Sequence, residues 1–176
     1  MTRIVAVSGS RRTNSTTRTA LEVALGAAAD AGAETGMIDL GAVDLPLYHP
    51  DEDAQGDSEA LLRRVREADG VLAGTPVYRG SFSSTFKNFH DFCGSTEYED
   101  TAVGLLATAG GGSYGGTLEH LRSTFRNVHA WTVPHEVGIR GASGIVGETG
   151  ITDDDVRERT ERLGRVVAEH AERLRE

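Results

Sequence analysis

The stretch RIVAVSGSRRTNSTTRTALEVALGAA, residues 3 to 28, decides the fold. It opens with a short apolar run rich in β-branched residues, Arg3 to Ser8, which predicts a strand. Gly, Ser, Arg, Thr and Asn follow, the composition of a loop. After the loop the apolar period changes. Leu21, Ala24, Leu25 and Ala28 fall on one face of a helix, with Ser15 or Thr16 placed to cap its N-terminus. Strand, loop and helix in this order form the first half of a crossover to a parallel neighbour.

The same cycle recurs to the end of the chain. Thr35 to Leu40 reads as the second strand, and a long acidic loop containing proline leads to a helix carrying Leu61, Leu62, Val65 and Ala68. Gly70 to Thr75 is the third strand, followed by a helix bearing Phe86, Phe89 and Cys93. Ala102 to Ala109 is the fourth, followed by a glycine-rich loop and a helix with Leu118, Leu121 and Phe125. The fifth lies near Ala130 to Ile139. After a second glycine-rich loop, Thr152 is placed to cap a last helix, with Asp153, Asp154 and Asp155 at its positive end and Val156, Leu163, Val167 and Leu174 as its buried stripe. Five strands alternating with five helices predict a doubly wound α/β fold of three layers around a five-stranded parallel sheet of order 2-1-3-4-5, with residues 1–176 as one domain. In that order the ligand crevice opens at the carboxyl ends of strands 1 and 3, where the winding reverses.

Composition narrows the chemistry. A formal charge of -9, with no basic helix to offset it, argues against nucleic acid as a partner. No apolar run is long enough to span a bilayer and the first residues lack a signal-peptide pattern, so a cytoplasmic protein without a membrane partner is expected. Cys93 is the only cysteine, which leaves no disulfide framework or cysteine zinc site within one chain and predicts a packed thiol. The histidines share no metal-ligand spacing and read as solvated or packed residues, with His90 set a helical turn or two beyond the second strand-end loop. Lys87 is the only lysine, a pattern that fits either a high-salt cytoplasm or an arginine-favouring genome. One exception stands out: Met1 to Leu21 holds Arg3, Arg11, Arg12 and Arg18 and no carboxylate.

Three loops at the carboxyl ends of strands carry the candidate site. The first, Ser8 to Thr17, concentrates hydroxyls, a flexible glycine and two guanidiniums at a helix N-terminus, each suited to a phosphate. It lacks the G-K-[ST] of a Walker A loop and fits a terminal phosphomonoester better. The second, Gly74-Thr75-Pro76-Val77-Tyr78-Arg79-Gly80-Ser81-Phe82, brings an aromatic residue to the switch point. The third, Gly110-Gly111-Gly112-Ser113-Tyr114-Gly115-Gly116, has a glycine density that implies close backbone approach.

Read together, these loops resemble the NADPH-dependent FMN reductase family of the flavodoxin-like superfamily. The family's G-S-x-R-x-x-S is matched by Gly9, Ser10, Arg12 and Ser15, and its T-P-x-Y-x-x-S by Thr75, Pro76, Tyr78 and Ser81. A glycine-rich loop before a helix with the pair Leu121-Arg122 completes the pattern. The chain departs from the T-P-E-Y-N of the quinone and chromate reductase branch at Val77 and Arg79, and there looks more like reductases that supply reduced FMN to monooxygenases. The resemblance implies a flavodoxin-like FMN enzyme that takes hydride from NADPH or NADH and passes electrons to free FMN, a quinone or another small-molecule acceptor. It also implies a homodimer or homotetramer. Ser10, Arg12, Ser15, Thr16 and Thr17 are expected at the FMN phosphate; Pro76, Val77, Tyr78, Arg79 and Gly80, with Gly110, Gly111, Gly112 and Ser113, at the isoalloxazine. No protein acid, base or metal is required, because hydride transfer is the cofactor's own chemistry. Arg79 and Tyr114 are candidates to contact NAD(P)H. The main alternative is a flavodoxin-type electron carrier, whose T-G-x-T-G-x-T phosphate loop is missing here. A receiver domain is disfavoured because Ser10, Arg11 and Arg12 stand where acidic residues would be needed. A module that has lost its flavin would differ in its absorbance spectrum.

Overall fold

The computed structural model describes residues 1–175. Strand β1 (Arg3–Ser8) leads to helix α1 (Thr16–Asp30), then β2 (Glu34–Asp39), α2 (Ser58–Arg66), β3 (Gly70–Pro76), α3 (Ser84–Phe92), a short α4 (Ser95–Tyr98) and β4 (Ala102–Ala109). Helix α5 (Gly115–Asn127), β5 (Trp131–Thr132), β6 (Val137–Arg140), α6 (Ala142–Ile145), the hairpin β7 (Val146–Gly147) and β8 (Gly150–Ile151), and α7 (Asp154–Leu174) complete the chain. The parallel sheet runs β2-β1-β3-β4-β5, with β6 also paired to β4, as the repeating strand and helix pattern predicts.

Apolar residues alternate along the strands and feed two cores, one on each face of the sheet. Ile4, Ala6, Leu72 and Leu106 face α1 and α7, whereas Val5, Val7, Val71, Ala73, Leu105 and Ala107 face α2, α3 and α5. Such two-sided burial is why these strands read as nearly continuous apolar runs. Among the described residues no helix is long and apolar enough to cross a membrane.

Three details correct the sequence reading. The fifth strand is broken: Val103 pairs with Thr132 and Leu106 with Val137, so two residues of β4 face four on the neighbouring segment. Pro134, which has no N–H to donate, lies in this insertion. Arg122 braces the bulge, donating to Thr132 Oγ1 at 3.0 Å and to Glu136 Oε2 at 2.5 Å. The second glycine-rich loop contains α6 and the β7/β8 hairpin. The cap of α7 is Asp153, whose carboxylate accepts from Val156 N, while the Thr152 hydroxyl donates instead to the Ile145 carbonyl.

His90 and Cys93 are buried, the former among Phe86, Tyr98 and Phe125 with ring centroids 4.9 to 6.1 Å away. Burial pushes the Cys93 thiol up to about 12 and the His90 imidazole down from 6.5. A depressed histidine leaves stability unaffected above the unfolded value and removes it as pH falls below 6.5 toward the lower folded value, because only the unfolded chain then takes up the proton. His90→Leu is therefore expected to flatten the fall in melting temperature between about pH 7.5 and 5.5. An unchanged pH slope in the variant would contradict this assignment.

Candidate functional site

The loops after β1, β3 and β4 meet at the carboxyl edge of the sheet, and specific hydrogen bonds hold them together. Gly9 N donates to the Gly74 carbonyl at 2.8 Å, and Val77 N to the Thr108 carbonyl at 2.8 Å. Ser83 is the main tie. Its hydroxyl caps α3 by accepting from Phe86 N and donates to the Gly9 carbonyl at 2.6 Å, while its own N–H donates to Thr75 Oγ1 at 2.9 Å.

In the first loop Ser15 caps α1, accepting from Arg18 N at 3.1 Å, and Ser10 Oγ accepts from Arg12 N at 3.3 Å. Ser10 and Ser15 are buried, Thr16 is half-buried, and Arg11 and Arg12 are exposed. Among the described residues, none of the backbone N–H groups from Thr13 to Thr17 donates a hydrogen bond. Five consecutive free donors at the positive end of a 15-residue helix with no acid in its first turn form a strong anion cradle. Arg18 shapes it from behind, donating to the Thr13 carbonyl at 2.6 Å and pairing with Asp39 at 2.8 Å. The hydroxyl of Thr17 turns away from the loop and bonds Thr108 Oγ1 at 2.6 Å in the interior, so Thr17 offers the cradle its backbone N–H.

The second loop is a tight turn in which Tyr78 N donates to the Ser81 carbonyl and Ser81 N to the Tyr78 carbonyl. Arg79 and Gly80 both have positive φ, +53° and +79°, the pattern of a type I′ turn. Gly80 adopts this freely; for Arg79 it costs about 1–2 kcal/mol. Tyr78 is 48% exposed, so its ring is available to a ligand. Ser81 Oγ and His120 Nδ1 lie 2.9 Å apart, joining the turn to α5.

The third loop is open. An added Cβ at Gly110, Gly111 or Gly112 meets no atom within 4 Å, so no neighbour in the fold demands glycine at these positions. Gly141 N donates to the Gly110 carbonyl at 2.6 Å and Arg140 Nε to the Gly111 carbonyl at 3.1 Å, while Ser113 Oγ accepts from Gly115 N at 3.4 Å. The ring of Tyr114 lies across Gly138, half-buried, so it serves to pack the loop against β6. Below the loops, Ser8 Oγ and Thr117 Oγ1 are buried without a hydrogen-bond partner among the described residues.

The structure thus brings Ser10, Arg12, Ser15, Thr16 and Thr17 to one cradle, and Pro76 to Gly80 and Gly110 to Ser113 to its neighbouring loops. Sequence reasoning missed Ser83, Asp39 and Arg140, whose contacts span 74, 21 and 29 residues. For Arg18 the only signal was its place in the cationic first segment.

The sequence model of a family described as NADPH-dependent FMN reductase matches residues 2–144. Over 118 residues the chain is 36% identical to an NADPH azoreductase of a Bacillus species (strain OY1-2), a stretch covering 65% of this chain and 66%, just under two thirds, of that protein. Over 141 residues it is 30% identical to the NADH-dependent FMN reductase SfnF of Pseudomonas fluorescens (strain Pf0-1), covering 78% of this chain and 72% of that one. The apo form of an NADH:FMN oxidoreductase (EMOB) has the same fold, with a TM-score of 0.79 at 24% identity over 96% of this chain and 89% of that chain.

Proposed function

The chain belongs to the NADPH-dependent FMN reductase family, and from that premise we propose that it is an FMN-dependent oxidoreductase that accepts hydride from NADPH or NADH and reduces a small acceptor. The observation that carries this reading is the run of free N–H groups from Thr13 to Thr17 beside buried Ser10 and Ser15 and exposed Arg12, which suits a terminal phosphate. Bound FMN would supply the hydride-accepting chemistry at its ring. The protein's part is positional. Arg12 and the α1 N–H groups would hold the phosphate. The backbone of the type I′ turn and of Gly110 to Ser113 would border the ring, and Tyr78 would offer it an apolar face. The open space at Gly110 to Gly112 fits a planar group that approaches the loop backbone closely. We place this activity in the cytoplasm, in a homodimer or homotetramer, with residues 1–176 acting as one domain.

The purified protein is expected to show the blue and near-ultraviolet absorbance of bound FMN, and to lose it when NADPH is added without oxygen. Absorbance that only a chemical reductant bleaches would favour an electron carrier. A chain that binds no FMN would defeat the reading altogether.

A further inference from the structure

Arg18 stands where a helix disfavours it. It lies in the first turn of α1, and the positive end of the helix dipole repels a cation there. Its half-buried guanidinium is held by two acceptors outside the helix: Nη1 donates to Asp39 Oδ2 at 2.8 Å and Nη2 to the Thr13 carbonyl at 2.6 Å. No other group donates to that carbonyl among the described residues. Asp39 is itself fixed. It ends β2 in register with Ser8, and its Oδ1 accepts from Gly41 N at 3.0 Å. Gly41 in turn abuts the first loop, where an added Cβ would lie 2.9 Å from the Ser10 carbonyl oxygen. Charge alone explains neither member of the pair, since the cation opposes the dipole and the carboxylate, one guanidinium away from the anion cradle, repels an anion.

What the pair fixes is a peptide plane. In a trans peptide the C=O and the N–H point in opposite directions, so a guanidinium that holds the Thr13 carbonyl also sets the direction of the Asn14 N–H. That N–H is one of the five free donors of the cradle. Thr13 and Asn14 are exposed and precede α1, so no helical hydrogen bond holds the peptide between them. Released, it could turn over and present a carbonyl oxygen to the anion. We infer that Arg18, anchored by Asp39, is a positioning residue that keeps the Thr13–Asn14 peptide turned with its N–H, and not its carbonyl, toward the flavin phosphate. The inference rests on the proposed flavin function, with the FMN phosphate at α1.

The test is an equilibrium titration of the parent, Asp39→Asn, Arg18→Lys and Glu22→Gln with FMN and with riboflavin. Asparagine has one accepting oxygen and cannot serve both Gly41 N and Arg18. Lysine keeps the charge but lacks the planar fork that spans Asp39 and the Thr13 carbonyl. Glu22 is the control: its Oε1 lies 4.0 Å from Arg18 Nε, and it makes no hydrogen bond to the loop among the described residues. Asp39→Asn and Arg18→Lys are each expected to weaken FMN about tenfold, with riboflavin held within about twofold. Glu22→Gln should bind FMN at least as tightly as the parent. Charge alone predicts the opposite sign for Asp39→Asn, because removing a negative charge near the cradle tightens an anion. An Asp39→Asn or Arg18→Lys protein that holds FMN as tightly as the parent therefore overturns the inference. Equal weakening of FMN and riboflavin overturns it too, by making the pair a support of the fold at large. A parent that binds FMN no more tightly than riboflavin removes the phosphate from α1, and the functional assignment falls together with this role.

Discussion

Alanine at position 164 is expected to lower the stability of the fold by about 2–3 kcal/mol, whereas the same substitution at position 26 raises it by about 1 kcal/mol. Both glycines lie in helix interiors, where glycine costs about 1 kcal/mol relative to alanine. They differ in what a methyl group would meet. At Gly26 on α1 there is nothing within 4 Å. At Gly164 on α7 the added Cβ would lie 1.9 Å from the Ala24 carbonyl oxygen and 2.8 Å from its carbon. These are backbone atoms of α1 and cannot swing aside, so the two helices must separate and loosen Leu163, Val167 and Ala168 against Ala20, Leu21 and Ala24. Thermal melting should place Gly164→Ala about 5–10 °C below the parent and Gly26→Ala about 2–4 °C above it. Two variants shifting in the same direction would show that helix propensity outweighs the α1/α7 contact.

The elements that sequence reading recovered are those determined by local chemistry. β1 and β4 were legible because both faces of each are buried, which gives each strand a nearly continuous run of small and apolar residues. α1 was legible because Ser15 and the apolar stripe mark the same helix. The fifth strand was not, because its break depends on register against β4, which Ala130 to Ile139 does not encode by itself. The cap of α7 turned on competition: Thr152 and Asp153 both suit the position, and the bond from the Thr152 hydroxyl to the distant Ile145 carbonyl decides between them. Helix α4 escaped notice although Glu97 accepts from Gly94 N, because four residues are too few to show a period.

The site divides the same way. Residue types that suit phosphate, ring and close backbone approach stand at strand ends, so the three loops could be picked out by composition and order alone. What holds those loops in place could not. Ser83 reads as an ordinary helix cap, and only the folded chain shows that its hydroxyl also binds the Gly9 carbonyl. Arg18 reads as one more cation beside Arg11 and Arg12, yet its charge is committed to Asp39. Positive charge in a loop is thus ambiguous until its carboxylate partners are known, and the two exposed arginines of the first loop need separating by experiment.

Arg12→Ala is expected to weaken FMN about ten- to a hundredfold and riboflavin hardly at all, since one charge-assisted hydrogen bond to phosphate contributes about 1.5–3 kcal/mol. The backbone of Arg12 is tied to buried Ser10 and directly precedes the free N–H groups, and its guanidinium has no ion-pair partner among the described residues. Arg11 is the control, one residue away and also exposed. Its surroundings differ: it lines a groove of about 200 Å³ with Leu40, Leu45, Leu47, Ser84 and Asn88, on the side of α3. Arg11→Ala should therefore weaken FMN far less. Neither change removes a buried group, so the fold should persist and the comparison reads binding alone. Riboflavin carries the same ring without the phosphate, so it separates a lost phosphate contact from a disturbed loop. If Arg11 proves the costlier loss, the phosphate lies on the α3 side of the loop. If both ligands weaken together, Arg12 acts on the ring or on the loop's shape, and the α1 cradle must hold its anion through backbone N–H groups alone.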